Sequence, residues 1–269
     1  MLLTTTRPDL LDSVLKAHGG LERWSQIKSI NLTWNFSGWL LAVKGYPAHY
    51  QPTITIDTRK QAAILRRLGG GPDDKFMFTP ERTWIERRDG SISMSRDNPR
   101  ASFAGHVRTT PWDDLHLTYF VGYALYNYLV TPFCFTWPGF QTRELPEHEE
   151  RGQLWRVLEV TYPDSFATHT KVQKFYFNDK FMLQRLDYVT DVAGGIVAHY
   201  CFDHKEVGGI VFPMLRRVVR RVPETNEGVV GGPSSFTLDY CELSLKEVDG
   251  KEIVNRGAYG DLVPSKTGN

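Results

Sequence analysis

Residues 110–138 read Thr-Pro-Trp-Asp-Asp-Leu-His-Leu-Thr-Tyr-Phe-Val-Gly-Tyr-Ala-Leu-Tyr-Asn-Tyr-Leu-Val-Thr-Pro-Phe-Cys-Phe-Thr-Trp-Pro. This stretch predicts a helix over residues 111–131. Thr110 is placed to cap its N-terminus, and Asp113 follows three residues later, as in a capping box. Pro132 ends the helix, because the residue before a proline avoids the helical region.

The predicted helix is apolar on nearly every side, which indicates that it is buried. Its polar side chains are spaced three or four residues apart and therefore follow one stripe. The stripe consists of His116, Tyr119 or Phe120, Tyr123 and Asn127. A buried helix with one polar stripe favours a ligand cavity, and the rest of the chain is expected to form a sheet around it.

Net charge and aromatic content limit the ligands that the protein can be expected to bind. The chain has 269 residues, 23% of them charged and 41% hydrophobic, with a net charge of +1. Such a charge attracts neither nucleic acid nor an anionic membrane. The 13% of aromatic residues fits a pocket for an apolar ligand. We expect one domain over residues 1–269, with 257–269 as a weakly ordered tail, and leave the oligomeric state open.

Three cysteines, an odd number, indicate reduced thiols and a cytoplasmic protein. The N-terminus carries no basic segment followed by an apolar run, so no secretory signal is expected. The helix at 111–131 is not expected to span a membrane, because His116, Asn127 and Pro132 interrupt its apolar character.

The remaining sequence predicts mostly short strands joined by tight turns. A first long strand is expected at 30–43 with a bend at Gly38, and the last one at 236–245 with a bulge near Glu242. Pro213 predicts an edge or a strand start, and residues 144–151 are expected to be a solvated loop. The other expected strands are 53–58, 75–79, 83–88, 91–95, 154–162, 172–177, 181–189, 196–204 and 211–222, and short helices are expected at 8–18 and 21–27.

Three local motifs resemble the LolA/LolB-like lipoprotein-carrier superfamily. They are Ala-His-Gly-Gly-Leu-Glu-Arg-Trp at 17–24, the hairpin Phe-Tyr-Phe-Asn-Asp with Leu-Gln-Arg-Leu at 175–186, and the turn from 203 to 213 with its two glycines and proline. The resemblance implies a mainly β (α+β) fold: a curved antiparallel half-barrel sheet with helices plugging its concave face. It also implies a hydrophobic ligand, and the lack of a signal peptide implies an intracellular member.

The helix stripe provides a set of candidate catalytic residues. His116 could act as general base, Tyr119 and Tyr123 could donate to a developing oxyanion, and Asn127 could polarise it. Asp113 could orient His116. The alternative is structural: Asp113 caps the helix and His116 is a core residue with satisfied hydrogen bonds.

Two strands carry further candidates. His199, Cys201 and Asp203 share one face and are metal-ligand types, but zinc normally needs a further ligand, so we expect no metal. The run 216–221 holds four arginines and could grip a carboxylate or phosphate, or form a solvated edge. The residues expected to contact a ligand are Trp34, Phe120, Tyr126, His199 and Arg216.

Two functions remain open from the sequence. In the first, the protein binds a hydrophobic small molecule in a cavity lined by the 111–131 helix. In the second, it is a cofactor-independent isomerase, cyclase or lyase that acts on such a molecule by acid–base catalysis. The sequence holds neither a dinucleotide fingerprint nor a phosphate loop, so no cofactor is expected.

Overall fold

The computed structural model describes residues 9–69 and 73–256. The predicted tail at 257–269 lies outside these residues, as does part of the glycine-rich loop at 69–71. The described segments contain four α-helices: α1 Leu10–Ala17, α2 Gly20–Ser25, α3 Trp39–Val43 and α4 Asp114–Val130.

The strands of the described chain form one antiparallel sheet. They are β1 Ile27–Ser37, β2 His49–Tyr50, β3 Thr53–Asp57, β4 Ala63–Arg66, β5 Lys75–Phe78, β6 Arg82–Glu86, β7 Ile92–Asp97, β8 Gln141–Glu150, β9 Gln153–Thr161, β10 Val172–Phe177, β11 Leu183–Val189, β12 Ile196–Val207, β13 Ile210–Arg220, β14 Phe236–Glu247 and β15 Glu252–Arg256. The order is β7-β6-β5-β4-β3-β1-β14-β13-β12-β11-β10-β9-β8, with β2 added to β1 and β15 to β14. The sheet is open and curved, which confirms the predicted fold class.

Helix α4 lies in the hollow of this sheet. It packs against β3–β7 on one side. On the other side, Phe120 contacts Phe236 of β14, and Tyr128 contacts Tyr188 of β11 and His199 of β12. Every residue from 115 to 130 is buried. The prediction of a helix enclosed on all sides is therefore confirmed.

The helix begins later than the sequence indicates. Residues 111–113 are not helical, because the Trp112 amide donates to the Lys44 carbonyl, 3.0 Å away. Asp113 is the N-cap instead of Thr110, and its carboxylate accepts from the His116 amide at 2.8 Å. At the other end Thr131 is extended before Pro132, as predicted.

The strand predicted at 30–43 is wrong beyond residue 37. Gly38 has φ = +141°, and its backbone lies so close to Ser235 that a Cβ would be 2.1 Å from the Ser235 carbonyl oxygen. The chain therefore bends at Gly38, as predicted, but continues as α3. Glycine tolerates both the positive φ and the close approach.

The loop predicted at 144–151 is also wrong, as is one of the two alternatives for Pro213, the edge strand. Residues 144–151 are not a loop, since most of them belong to the edge strand β8, whose exposed side chains explain its polar sequence. β13 is not an edge, because it lies between β12 and β14. Pro213 is accommodated there because β14 pairs only with residues 215–218 of β13.

The bulge predicted near Glu242 is confirmed. Thr33 pairs with Glu242 but Trp34 pairs with Tyr240, so Cys241 is the extra residue on β14. This extra residue restores the inward direction of the apolar side chains beyond it.

The convex face of the sheet carries a second, smaller core. Its apolar members are Trp155, Val157, Tyr176, Ala198, Tyr200 and Val219. Arg185 lies among them with no exposed surface and pairs with Glu150 at 2.6 Å and Asp187 at 2.7 Å. It also donates to the Asn226 carbonyl at 2.6 Å, which fastens the β13–β14 loop onto this face.

The packing of α4 against β5 gives a test of the enclosed helix. A Cβ at Gly122 would lie 2.5 Å from Cγ of Phe78. We expect Gly122→Ala to lower the free energy of unfolding by about 1–3 kcal/mol through overpacking, although alanine has the higher helix propensity. Chemical denaturation measures the change. Phe78→Leu in the same chain should recover part of it, and a Gly122→Ala variant as stable as the wild type would contradict this packing.

Candidate functional site

One cavity of the described structure is an open groove of about 870 Å³. The β3–β4 and β5–β6 turns form one wall, and segments 137–138 and 163–166 form the other. Aromatic and proline side chains provide much of the apolar lining: Trp24, Pro80, Trp137, Pro138, Phe140, Pro163 and Phe166. We call this cavity the aromatic groove.

The rings of the aromatic groove support one another. Phe166 makes edge contacts with Phe140 and Trp137, at centroid distances of 5.1 Å and 6.0 Å. Trp24 stacks on Phe133 at 4.3 Å. Such contacts hold the rings in place before any ligand arrives, and this reduces the entropy that binding costs.

A polar pocket of about 320 Å³ adjoins the aromatic groove and shares Pro80, Pro163, Ser165 and Phe166 with it. Its charged lining is balanced: Arg100 pairs with Asp191 at 2.9 Å and Lys171 with Asp164 at 2.6 Å. Tyr119, from the predicted stripe, lines this pocket, and burial raises the pKa of its hydroxyl.

The enclosed space beside α4 is small. A void of about 20 Å³ lies between the helix and the inner face of the sheet, which is room for about one water molecule. The helix contributes Phe120, Ala124, Leu125 and Tyr128 to its wall. The cavity that the sequence predicts along the helix is therefore nearly filled, because rings such as Phe120 and Phe236, 5.5 Å apart, occupy the hollow.

Loop 162–171 crosses the open side of the half-barrel. Gln61, in the β3–β4 turn, donates to the Ala167 carbonyl at 2.7 Å and accepts from the Ala167 amide at 2.8 Å. Arg100 donates to the Thr168 carbonyl at 2.8 Å and to Asp191. These bonds link the two rims of the sheet over α4, and we call them the rim bridge.

The polar stripe of α4 faces loop 162–171 instead of an open chamber. The Tyr123 hydroxyl is hydrogen-bonded to His169 at 3.0 Å. The Asn127 amide donates to the carbonyls of Tyr123 and Ala167, at 2.7 Å and 2.9 Å. The sequence grouped these side chains on one face correctly, and the structure brings them together with the loop.

His116 and Asp113 close the first turn of α4. Asp113 receives two hydrogen bonds from Arg96, at 2.6 Å and 3.0 Å, and the Asp113 amide donates to Nδ1 of His116 at 3.3 Å. Burial lowers the pKa of His116 although Asp113 opposes this. Neither residue lines any of the three cavities.

A continuous chain of buried hydrogen bonds leads from α4 to the sheet. His169 joins the hydroxyls of Tyr123 and Tyr128, at 3.0 Å and 2.7 Å. Tyr128 continues to the Tyr188 hydroxyl at 2.9 Å, and Tyr188 to Nδ1 of His199 at 3.2 Å. The chain satisfies polar groups that would otherwise cost free energy in the core.

The other predicted ligand residues are dispersed. Trp34 is fully buried in the core, and Tyr126 lies behind Phe166, with ring centroids 5.9 Å apart. Phe120 lines the small void, while His199 and Arg216 are buried on the inner face of the sheet. None of the five lines the aromatic groove.

Residues 9–69 and 73–256 contain neither a cluster of metal-ligating side chains nor a membrane-spanning helix. No three His, Cys, Asp or Glu side chains there lie together in a way that could hold a metal ion. Asp203, grouped with His199 and Cys201 in the sequence, is exposed and contacts Lys205 at 3.1 Å. None of the described helices is long and apolar enough to cross a membrane.

None of the residues that line the aromatic groove was among the ligand contacts predicted from the sequence. Trp24, Gln61, Trp137 and Phe166 come from four distant parts of the chain, and only the fold brings them together. A partial signal was present in the aromatic run Phe-Cys-Phe-Thr-Trp-Pro-Gly-Phe at 133–140, directly after the helix.

No protein-family model matches the chain, and no curated protein matches it. Solved structures similar to it include a LolA superfamily protein from Nitrosomonas europaea, with 11% identity over 88% of this chain and 93% of that chain and a TM-score of 0.49. Another is a DUF1329 family protein from Desulfovibrio piger, with 10% identity over 87% and 90% and a TM-score of 0.48. The first belongs to the superfamily that the sequence motifs resemble.

The buried histidines predict a loss of stability at acid pH. Burial lowers the pKa of His169 to about 3 and that of His18 to about 4, from an ordinary value of 6.5. The unfolded chain therefore binds more protons below pH 6.5, and stability that is complete above this pH is lost as the pH falls toward 4. We expect about 1.4 kcal/mol per pH unit for each such histidine.

Denaturation between pH 6 and pH 5 measures this slope. Replacement of His169 by glutamine should lower the slope of unfolding free energy against pH by about 1.4 kcal/mol per pH unit. His49→Gln, at an exposed position on β2, should leave the slope as in the wild type. Equal slopes for His169→Gln and the wild type would contradict the assignment.

Proposed function

We propose that the protein binds a hydrophobic small molecule in the aromatic groove. The observation that carries this proposal is the size and lining of the groove: about 870 Å³, with three aromatic residues, Trp137, Phe140 and Phe166, that remain partly exposed. Ligand sites commonly have volumes of ~300–1,000 Å³ and an apolar, aromatic lining.

Binding is driven by burial of the ligand's apolar surface, at about 25 cal/mol per Å² removed from water. The rings of Phe140 and Phe166 are already packed against each other, so they lose little freedom when a ligand enters. Arg59, Lys60 and Glu81 line the same groove and offer polar contacts that orient a ligand.

The small void beside α4 is too small to be the ligand site, whereas the aromatic groove is large enough. At about 20 Å³ it takes no drug-sized molecule without rearrangement of Phe120 or Tyr128. The aromatic groove is open as the structure stands, which makes it the site of first contact for a ligand.

The alternative function, a cofactor-independent isomerase, cyclase or lyase, stays a prediction of the sequence. Its proposed base, His116, lines none of the three cavities, and the Tyr123 hydroxyl and the Asn127 side-chain nitrogen are hydrogen-bonded to loop 162–171. Of the predicted catalytic residues, Tyr119 alone lines one of these three cavities, the polar pocket.

An uncharged fluorescent probe, N-phenyl-1-naphthylamine, tests the binding proposal. Phe166→Ala should weaken probe affinity about 10-fold, because part of the ~1.5–3 kcal/mol of a buried phenyl ring is lost. The measurement is a fluorescence titration. Phe202→Ala, at an exposed phenylalanine of β12, is the matched control and should leave the affinity unchanged.

Trp137→Ala gives a second, independent reading of the same groove. If the probe binds the wild type and both Phe166→Ala and Trp137→Ala with one affinity, the groove is not its site. No binding to the wild type would remove the proposal altogether.

A further inference from the structure

Two arginines of the described chain, Arg185 and Arg216, have almost no exposed surface and lie in very different surroundings. Arg185 has no exposed surface and is neutralised by two carboxylates, Glu150 and Asp187. Arg216, on the concave side, is 1% exposed, and none of the ion pairs among residues 9–69 and 73–256 includes it. A buried charge without a counter-ion is costly, because water no longer solvates it.

The immediate contacts of Arg216 do not neutralise it. Its guanidinium donates to Sγ of Cys201 at 3.3 Å and to the Tyr128 carbonyl at 3.2 Å, and it lies 5.0 Å from the centroid of the Tyr128 ring. Burial raises the pKa of the Cys201 thiol and of the Tyr128 and Tyr240 hydroxyls. All three groups are therefore neutral at physiological pH.

The guanidinium and two of its neighbours carry polar atoms that make no hydrogen bond in the described structure. Arg216 Nε, His199 Nε2 and the Tyr240 hydroxyl are buried atoms without a hydrogen-bond partner in the described structure. In the tautomer in which Nδ1 of His199 accepts from Tyr188, Nε2 carries the proton and is a donor. The Tyr240 oxygen interacts with the guanidinium, but Arg216 Nε, His199 Nε2 and the Tyr240 proton still lack an acceptor.

Arg216, His199 and Tyr240 do not line the small void themselves, but residues in contact with them or next to them on the same strand face do. Cys201 is the cross-strand partner of Arg216, and His199 precedes Cys201 by two residues on the same face of β12. Leu238, the partner of Arg216 on β14, and Tyr128, on which its guanidinium stacks, both line the void. A volume of about 20 Å³ admits one group of the size of water.

We propose that Arg216, together with His199 and Tyr240, binds one monovalent anion inside the half-barrel. Two sources share this chemistry: a free ion such as chloride or acetate, and the carboxylate of a larger apolar acid. The site is separate from the aromatic groove, since none of its three residues lines that groove, and the proposal does not depend on binding there.

Thermal unfolding at constant ionic strength tests the anion site. Chloride, acetate, decanoate and decanol are added to wild-type protein exchanged into a gluconate buffer. The folded state should be stabilised by an anion that only it binds, and we expect the unfolding midpoint to rise by roughly 5 °C at saturation. Arg216→Met should abolish this rise.

The matched control is Arg217→Met, which removes the same charge from the neighbouring, exposed position of β13. It should respond to anions as the wild type does. Without added anion, Arg216→Met should unfold at or above the wild-type temperature, because the variant no longer buries an unneutralised charge. A wild type that ignores all three anions, or an Arg216→Met variant that responds as the wild type does, would overturn the site.

The arms separate the two sources. An Arg216-dependent rise with decanoate that exceeds the rise with acetate assigns the site to the carboxylate of an apolar acid. Equal rises with chloride, acetate and decanoate assign it to a free ion. Equal rises with decanol and decanoate, and none with acetate or chloride, would contradict the anion site while leaving hydrophobic binding intact. If Arg216→Met does not fold, the anion site is tested by the anion-dependent rise of the unfolding midpoint in the wild type and its loss in Arg216→Gln.

Discussion

Burial of α4 on every side is the constraint on which the rest of the structure depends. A helix whose residues 115–130 are all buried must be enclosed by both halves of the sheet, and its few polar groups must find partners inside. The sheet supplies the apolar walls, and loop 162–171 supplies the polar partners. The positions of Ala167 and His169 follow from this need, because they provide partners for the Asn127 side-chain nitrogen and for the hydroxyls of Tyr123 and Tyr128.

The two faces of the sheet surround a buried arginine in different ways. On the convex face, Arg185 is part of a network with two carboxylates, so its charge is balanced within the protein. On the concave face, Arg216 is surrounded by neutral rings, a thiol and a carbonyl. The imidazoles of His18, His199 and His204 have lowered pKa values, mainly through burial and partly through the charge of Arg216. The interior therefore holds a positive charge that the described residues leave unbalanced.

Much of the fold could be predicted from local sequence signals. Uniform apolar character identified α4, alternation identified β1 and β3, and a change of phase located the bulge next to Glu242. β8 was missed because an edge strand with mostly exposed side chains has no apolar alternation to detect. The N-cap was misplaced because Thr110 and Asp113 both suit a cap, and the bond from Trp112 to Lys44 that excludes the first is a tertiary contact.

The candidate site was less accessible to sequence reasoning. Helical spacing groups His116, Tyr119, Tyr123 and Asn127 on one face, but it does not show what that face contacts. The aromatic groove is assembled from α2, two turns and two loops, and no local pattern connects them. Such long-range assembly is decided by the order of strands in the sheet.

The rim bridge is the side on which the half-barrel opens most easily. The two walls meet there through a few side-chain contacts to loop 162–171, and among the described strands no ladder joins the edge strands β7 and β8. Releasing each such hydrogen bond costs about 0.5–1.5 kcal/mol, much less than unpairing a strand. The continuous sheet therefore holds one side of the half-barrel firmly, and the rim bridge holds the other side weakly. Release of these contacts would expose α4 to water while the strands of the described sheet stay paired.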